Sequence, residues 1–300
     1  MPQNPVTINN DAFKNSKINS IDLSNVTTIG SGAFYNCSSL TSVNLSNVTR
    51  INTKAFEKSG LNGNISLPSI TSIEDRVFCD SKITSLDFTG SSITAIPGYL
   101  CWDVSTLTNV TLPASCTEIN TYAFRGCSAL TTINLSNVIT FHDQCFENCT
   151  SLTTVNLSNA SVIPYASFKS SGLSGSLALS NVTQLGGSSL AGTNLTSVDF
   201  TGSTFTKVPG SLFIFCSSLD HVIFPSTVVE TESWIFYNCR NLRYAVFPTT
   251  STITWNNDTF SNCPSTCIIY VDDSKVSEVT TALSGKFSGQ IKGISEMPSA

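Results

Sequence analysis

The chain has 300 residues, with 20 acidic and 15 basic side chains and a net charge of −5 at pH 7. The basic residues are scattered, with no cluster to track a phosphate backbone, so nucleic acid is excluded as an expected partner. No apolar run approaches the ~18 residues of a membrane-spanning helix, so direct membrane insertion is not expected either.

Apolar residues make up 40% of the chain and charged residues only 12%. That supports a continuous core with Ser, Thr and Asn carrying solubility, a balance suited to an extracellular or cell-surface protein. The opening MPQNPVTINN has neither the charged nor the apolar region of a signal peptide. The chain therefore reads as a mature fragment.

Along the chain one large apolar residue recurs about every 22 residues. It is Phe13, Phe34, Phe56, Phe78, Leu100, Phe124, Phe146, Phe168, Leu190, Leu212, Phe236 and Phe260. The phrase around it is clearest in IGSGAFYNCSSLTSVNLSNVT from Ile29 and INTYAFRGCSALTTINLSNVI from Ile119. Its half L-x-x-V-x-L, as in Leu40, Val43 and Leu45, ends in strict alternation and predicts a short strand. Its other half, I-x-x-x-A-F-x-x-C, predicts a single helical turn or tight bend, which its Gly, Ser and Asn residues suit. A strand, a compact return and another strand make one coil of a solenoid, and stacked coils align their strands in a parallel sheet.

A longer regularity lies above the coil. SGLNGNISLPSIT from Ser59 matches SGLSGSLALSNVT from Ser171, and DFTGSSITAIPGYL from Asp87 matches DFTGSTFTKVPGSL from Asp199, both at an offset of 112 residues. A five-coil block is thus duplicated in tandem. The expected organisation is an α/β repeat solenoid of about twelve coils over residues 1–271, followed by a partly helical capping segment over 272–300. In that segment Val276, Val279, Leu283 and Phe287 fall at helical spacing.

The phrase I-x-x-x-A-F-x-x-C-x-x-L-x-x-V-x-L resembles the BspA-like class of leucine-rich repeats, over nearly the whole chain from Val6 to Val271. The stretch CIIYVDDSKVSEVTTAL resembles the last strand and terminal helix that close such arrays. The resemblance implies a right-handed leucine-rich-repeat array with one parallel β-sheet face and short helical turns on the other. It also implies a secreted or surface-attached protein that adheres to host matrix proteins or other cells.

Little in the sequence assembles into chemistry. Cys37, Cys127, Cys149, Cys239 and Cys263 sit three residues after the anchor and Cys216 four after it. They predict a buried, reduced column. Coil spacing also permits oxidation of Cys127 with Cys149, of Cys239 with Cys263, and of Cys79 with Cys101, a pair that shares a slot. No CxxC spacing marks zinc. His142 and His221 have no nucleophile placed with them by the repeat, so no catalytic triad forms. The outward aspartates Asp22, Asp87 and Asp199 are never in adjacent coils, too far apart for paired-carboxylate catalysis or a calcium cage. The sequons at Asn25, Asn47, Asn134 and Asn181 come with the repeated LSNVT phrase and read as turn chemistry. No catalytic, cofactor or metal residues are expected, and the chain is expected not to be an enzyme.

One asymmetry stands out. The outward strand position reads Asp22, Asn44, Ser66, Asp87, Thr111, Asn134, Asn156, Ala178 and Asp199, then Ile223, Val246 and Tyr270. Two residues earlier the column is Ser, Thr or Asn from Ser20 to Ser197, then His221, Tyr244 and Ile268. Both columns are expected to face solvent, so His221, Ile223, Tyr244, Val246, Ile268 and Tyr270 form an apolar and aromatic patch of the kind that marks a contact site. Either the tail from Asp272 folds back over it, or the tail caps the core and the patch meets a partner. The expected partner is a protein or glycan ligand on a host or neighbouring cell, or a second copy of the chain acting as a self-associating spacer or scaffold.

Overall fold

The computed structural model describes residues 6–256 and 258–298. The ends of the two expected segments, 1–5 and 299–300, lie outside the described residues. The chain forms two compact units, Met1–Asn156 and Leu157–Ala300.

In the N-terminal unit the alternating half of each repeat supplies the expected sheet. Asn62–Ser66, Lys82–Asp87, Asn109–Thr111 and Thr132–Ile133 pair in parallel, each with the next. A second row of strands precedes the bend. Val6–Ile8, Val26–Ile29, Arg50–Ile51 and Ser72–Ile73 form one parallel run, and Ala95–Ile96, Glu118–Ile119 and Thr140–Phe141 another. Most of these are two residues long, too short to show an alternation that periodicity can detect.

The C-terminal unit repeats the plan. Ser174–Ala178, Asn194–Asp199, His221–Ile223, Tyr244–Phe247 and Ile268–Val271 form its long row. Val162–Ile163 pairs with Gln184–Leu185, and Lys207–Val208 with Glu230–Thr231, in its short row.

Of the two forms expected for the return half of the coil, a helical turn or a tight bend, the structure has the tight bend. It is a pair of bends, each turning on a left-handed residue, with the two placed four residues apart. Lys54 and Lys58, Arg76 and Asp80, Tyr99 and Asp103, and Gln144 and Asn148 all have φ between 56° and 62°. A helix has no place for such residues, whereas Asn, Asp and Gly tolerate them. The second bend accordingly takes Asn15, Asn36, Asp80, Asp103, Gly126 and Asn148.

Between the bends lies the anchor, and its neighbours correct the phase of two coils. The backbone N–H of the anchor donates to the carbonyl of the small residue in the next coil in most coils, as from Phe34 to Ala55, Phe56 to Val77 and Phe124 to Cys145. By that pattern Phe78 donates to Leu100 and Cys101 donates to Ala123. Leu100 therefore fills the small slot and Cys101 the anchor slot. In the second block Phe213, which donates to Ile235 and stacks on Phe236, is the anchor rather than Leu212. Both leucines are buried and apolar, so composition does not tell the two slots apart. Cys79 and Cys101 consequently do not share a slot.

The anchor rings stack face to face, Phe13 on Phe34 at 5.2 Å, Phe34 on Phe56 at 5.1 Å, and Phe124 on Phe146 at 5.4 Å. The column expected to be reduced and buried is so, with all eleven cysteines free and only Cys263 half-buried. Each slot thiol donates to the carbonyl of the anchor one coil back. Cys37 reaches Phe13, Cys127 reaches Cys101, Cys149 reaches Phe124, Cys239 reaches Phe213, and Cys263 reaches Phe236, at 2.9 to 3.2 Å. Corrected for phase, Cys216 joins the same slot and bonds the carbonyl of Leu190 at 3.1 Å. Ser59 and Ser81 occupy that slot too, but their shorter side chains leave the buried hydroxyls without a partner.

The tail carries the one α-helix among the described residues, Val276–Ala282. Val279 and Leu283 are buried, and the Phe287 ring lies 5.0 Å from that of Phe260, continuing the anchor column. Gln290–Gly293 then adds a parallel strand beside Ile268–Val271. The apolar residues of the tail thus face the core. No helix among the described residues is long and apolar enough to cross a membrane.

Two stability effects follow from these contacts. Phe124→Ala removes a fully buried ring and lowers the unfolding free energy by about 3–5 kcal/mol, read by urea denaturation. A loss within error would place the ring outside the core. Ser59→Cys and Ser81→Cys each extend the side chain to the waiting carbonyl and raise stability by about 1 kcal/mol; an unchanged or lower midpoint in both rejects the reach argument.

Candidate functional site

The strand row presents two outward columns, and most of each is occupied by the chain itself. Asp22, Asn44, Asp87, Asn134 and Asp199 each accept the backbone N–H two residues on, at 2.8 to 3.0 Å. These are turns closed by a side-chain oxygen, which end the strand. In the neighbouring column Ser85 donates to Asn64, Thr132 to Asn109, and Ser197 to Ser176, each at 2.8 Å. A ligand on this polar face has to compete with bonds already made.

The sequon asparagines behave likewise. Asn47 donates its amide to the Ser24 carbonyl at 2.8 Å, and Asn181 donates to that of Ser158 at 2.6 Å. Both tie a coil to the one before it.

The pattern changes at His221. Strand register places Tyr244 between His221 and Ile268, and Val246 between Ile223 and Tyr270. The six residues singled out by the sequence are therefore brought together. The His221 and Tyr244 rings stack at 4.8 Å, and Tyr270 meets Tyr244 edge-on at 5.8 Å. Exposure corrects the expectation of a fully open patch. Val246 and Tyr270 are each only 4% exposed, whereas His221, Ile223, Tyr244 and Ile268 are half-buried. Aligned side chains on adjoining strands shield one another, and the added strand sets Lys292 next to Tyr270. The surface on offer is the rim of the cluster, centred on Tyr244.

That rim has a charged clamp that sequence reasoning missed. Arg243 forks onto both carboxylate oxygens of Asp220, with 2.7 Å from Nη2 to Oδ2. Asp220 Oδ2 also lies 2.8 Å from His221 Nδ1, and the Arg243 guanidinium sits 5.9 Å from the Tyr244 ring centre. The Arg243 hydrogen bond holds the Asp220 carboxyl below its usual range, with His221 adding to the effect. A signal existed: the position is threonine at Thr41, Thr84, Thr108, Thr131, Thr153 and Thr196, and then becomes Asp220 and Arg243.

Other titratable groups make contacts from one coil to the next. His142 Nε2 lies 2.6 Å from Glu118 Oε1 in the preceding coil. Glu57, Cys79 and Asp80 bring three ligand atoms within 4.8 Å of one another. Burial pushes the Cys79 thiol up to about 12, with the Asp80 and Glu57 carboxylates adding to the effect.

The depressed Asp220 sets a pH dependence. Its stabilisation is complete above the ordinary carboxylate value of about 3.9 and is lost as pH falls through the lower folded-state value. Asp220→Asn therefore flattens the acid limb of the Tm–pH curve and leaves its slope above pH 6 unchanged. An acid limb identical to that of the parent protein dismisses the clamp.

The family model that matches the sequence is that of the BspA type leucine rich repeat region, in six copies, over residues 1–102, 94–213 and 163–267. Solved structures of similar form include a leucine-rich repeat protein from Bacteroides ovatus, 21% identical, covering 96% of this chain and 87% of that one at a TM-score of 0.69. The pneumococcal vaccine antigen PcpA is 17% identical over 96% of this chain and 70% of its own, at a TM-score of 0.54. A leucine-rich repeat protein from Eubacterium ventriosum is 22% identical over 76% and 72%, at 0.52. Among curated proteins, none matches the sequence.

Proposed function

The chain belongs to the BspA-type leucine-rich repeat family, and on that premise we propose that it is a non-enzymatic protein-binding or adhesion module of a secreted or cell-surface protein. The observation that carries this reading is the His221–Tyr244 stack with its Arg243–Asp220 clamp. Elsewhere the outward columns bond to their own backbone and to one another. Here a tyrosine, a histidine and an arginine stand together, half in solvent. Tyrosine and arginine are the residues from which interface hot spots are most often built.

The low charge of the surface and its Ser, Thr and Asn content support an extracellular setting. One protein of similar fold is a pneumococcal vaccine antigen, and a surface location for this chain accords with it.

The test is adhesion of the purified chain to cultured cells and to matrix-coated surfaces, compared with Tyr244→Ala. Tyr244 is preferred to Tyr270, whose burial would confound binding with folding. Loss of about 2 kcal/mol or more of binding free energy is expected. Undiminished adhesion by the variant sinks the assignment. Light scattering of the same samples reports whether a second copy is the partner, as concentration-dependent dimers that Tyr244→Ala abolishes.

A further inference from the structure

The bends of the C-terminal unit carry a second surface, separate from the strand face. Two large aromatic side chains, Tyr165 and Trp234, are each 50% exposed there. Between them lie two coils whose bends are small, Gly187 with Ser188 and Gly210 with Ser211. These residues border one cleft of about 730 Å³. Tyr165 and Trp234 are three coils apart, which sets the two aromatic walls about 14 Å from each other.

The duplication supplies an internal comparison. At the 112-residue offset, Ser188 corresponds to Arg76, Ser211 to Tyr99, and Trp234 to Tyr122. The backbone is the same, since φ is 57° and 62° for the first pair, 58° and 56° for the second, and 60° and 59° for the third. In the first block Arg76 lies 4.4 Å over the Tyr99 ring, and Tyr99 packs on Tyr122 at 4.8 Å, so the corresponding space is filled. In the second block serines replace the arginine and the tyrosine, and Thr53 is replaced by Tyr165. The second copy is open in the middle where the first is filled, and it carries a further aromatic side chain at Tyr165.

The chemistry of the cleft is specific. Its carboxylate, Glu232, accepts the Gly210 N–H at 2.7 Å and pairs with Lys207 at 2.7 Å, so its charge is already offset. The backbone N–H groups of Ser188 and Ser211 are donated to Gly210 and Ser233 of the following coils, which leaves no strand edge for a peptide to extend. Beside these groups the cleft presents two half-exposed aromatic rings and serine hydroxyls. Sugar rings match that set. Their C–H faces carry slight positive charge and stack on π-faces, while their hydroxyls bond to side-chain oxygens.

We propose that the cleft between Tyr165 and Trp234 is a binding site for a neutral oligosaccharide, its pyranose rings stacking on the two aromatic walls over the floor of Gly187 and Gly210. The site lies on other residues than the Tyr244 cluster and stands or falls separately from it.

The test titrates the intact chain with N-acetylchitohexaose, maltohexaose, cellohexaose and hexamannose, followed by isothermal calorimetry and tryptophan fluorescence. At least one saccharide is expected to bind with one-to-one stoichiometry and to shift the emission. Trp234→Ala is expected to weaken that binding tenfold or more. The double variant Ser188→Arg/Ser211→Tyr, which restores the residues of the first block, is expected to abolish it while the urea midpoint stays put. The proposal is overturned if none of the four saccharides binds at millimolar concentration, or if both variants bind as the parent does. Selection from a random peptide library of sequences that bind the parent but not the double variant overturns it in favour of a peptide groove. Adhesion that Tyr244→Ala abolishes and Trp234→Ala leaves intact keeps the two sites distinct in either event.

Discussion

The structure hangs on one repeated contact, the hydrogen bond from the anchor N–H to the small-slot carbonyl of the next coil, made in most coils beneath a stack of anchor rings. The bond fixes register, since a coil displaced by one residue would lose both it and the ring contact. Two left-handed residues bracket the anchor and turn the chain tightly enough for the bond to form. The slot thiol adds a second tie, donated back to the preceding anchor carbonyl. Every coil therefore presents the same slot at the same place, and any substitution is displayed beside its counterparts in neighbouring coils.

That regularity governs where function can reside. A column of Asp and Asn looks like a row of ligands, yet most of it closes turns in its own coil. The columns of Ser and Thr bond from coil to coil. Distinct chemistry arises where a column is interrupted. At Asp220 and Arg243 a threonine column gives way to a charged clamp beside stacked rings. At Ser188 and Ser211 a filled row of bends becomes an open cleft.

Much of this was legible from residue order. The 22-residue phrase, the strand half, the inward cysteines and the gathering of His221, Ile223, Tyr244, Val246, Ile268 and Tyr270 all follow from counting along columns. What was not legible has identifiable causes. Residue order assigns Leu100 and Leu212 to the anchor because a buried leucine serves either the anchor or the small slot. Residue order leaves the return open between a helical turn and a tight bend, because a left-handed Lys54 or Arg76 leaves no mark in composition. The burial of Val246 and Tyr270 depends on how far neighbouring side chains on adjoining strands reach across them. The clamp shows in residue order only as a break in a threonine column that Gly63 and Gly175 already interrupt.

Residue order by itself determined the repeat, its period and the columns, because a parallel stack maps sequence offset directly onto spatial neighbourhood. Tertiary structure alone decided which members of a column remain available to a partner. Availability depends on the bonds an outward group makes with its own turn and on the cover its neighbours provide, and both are set by side-chain reach rather than by position in the repeat.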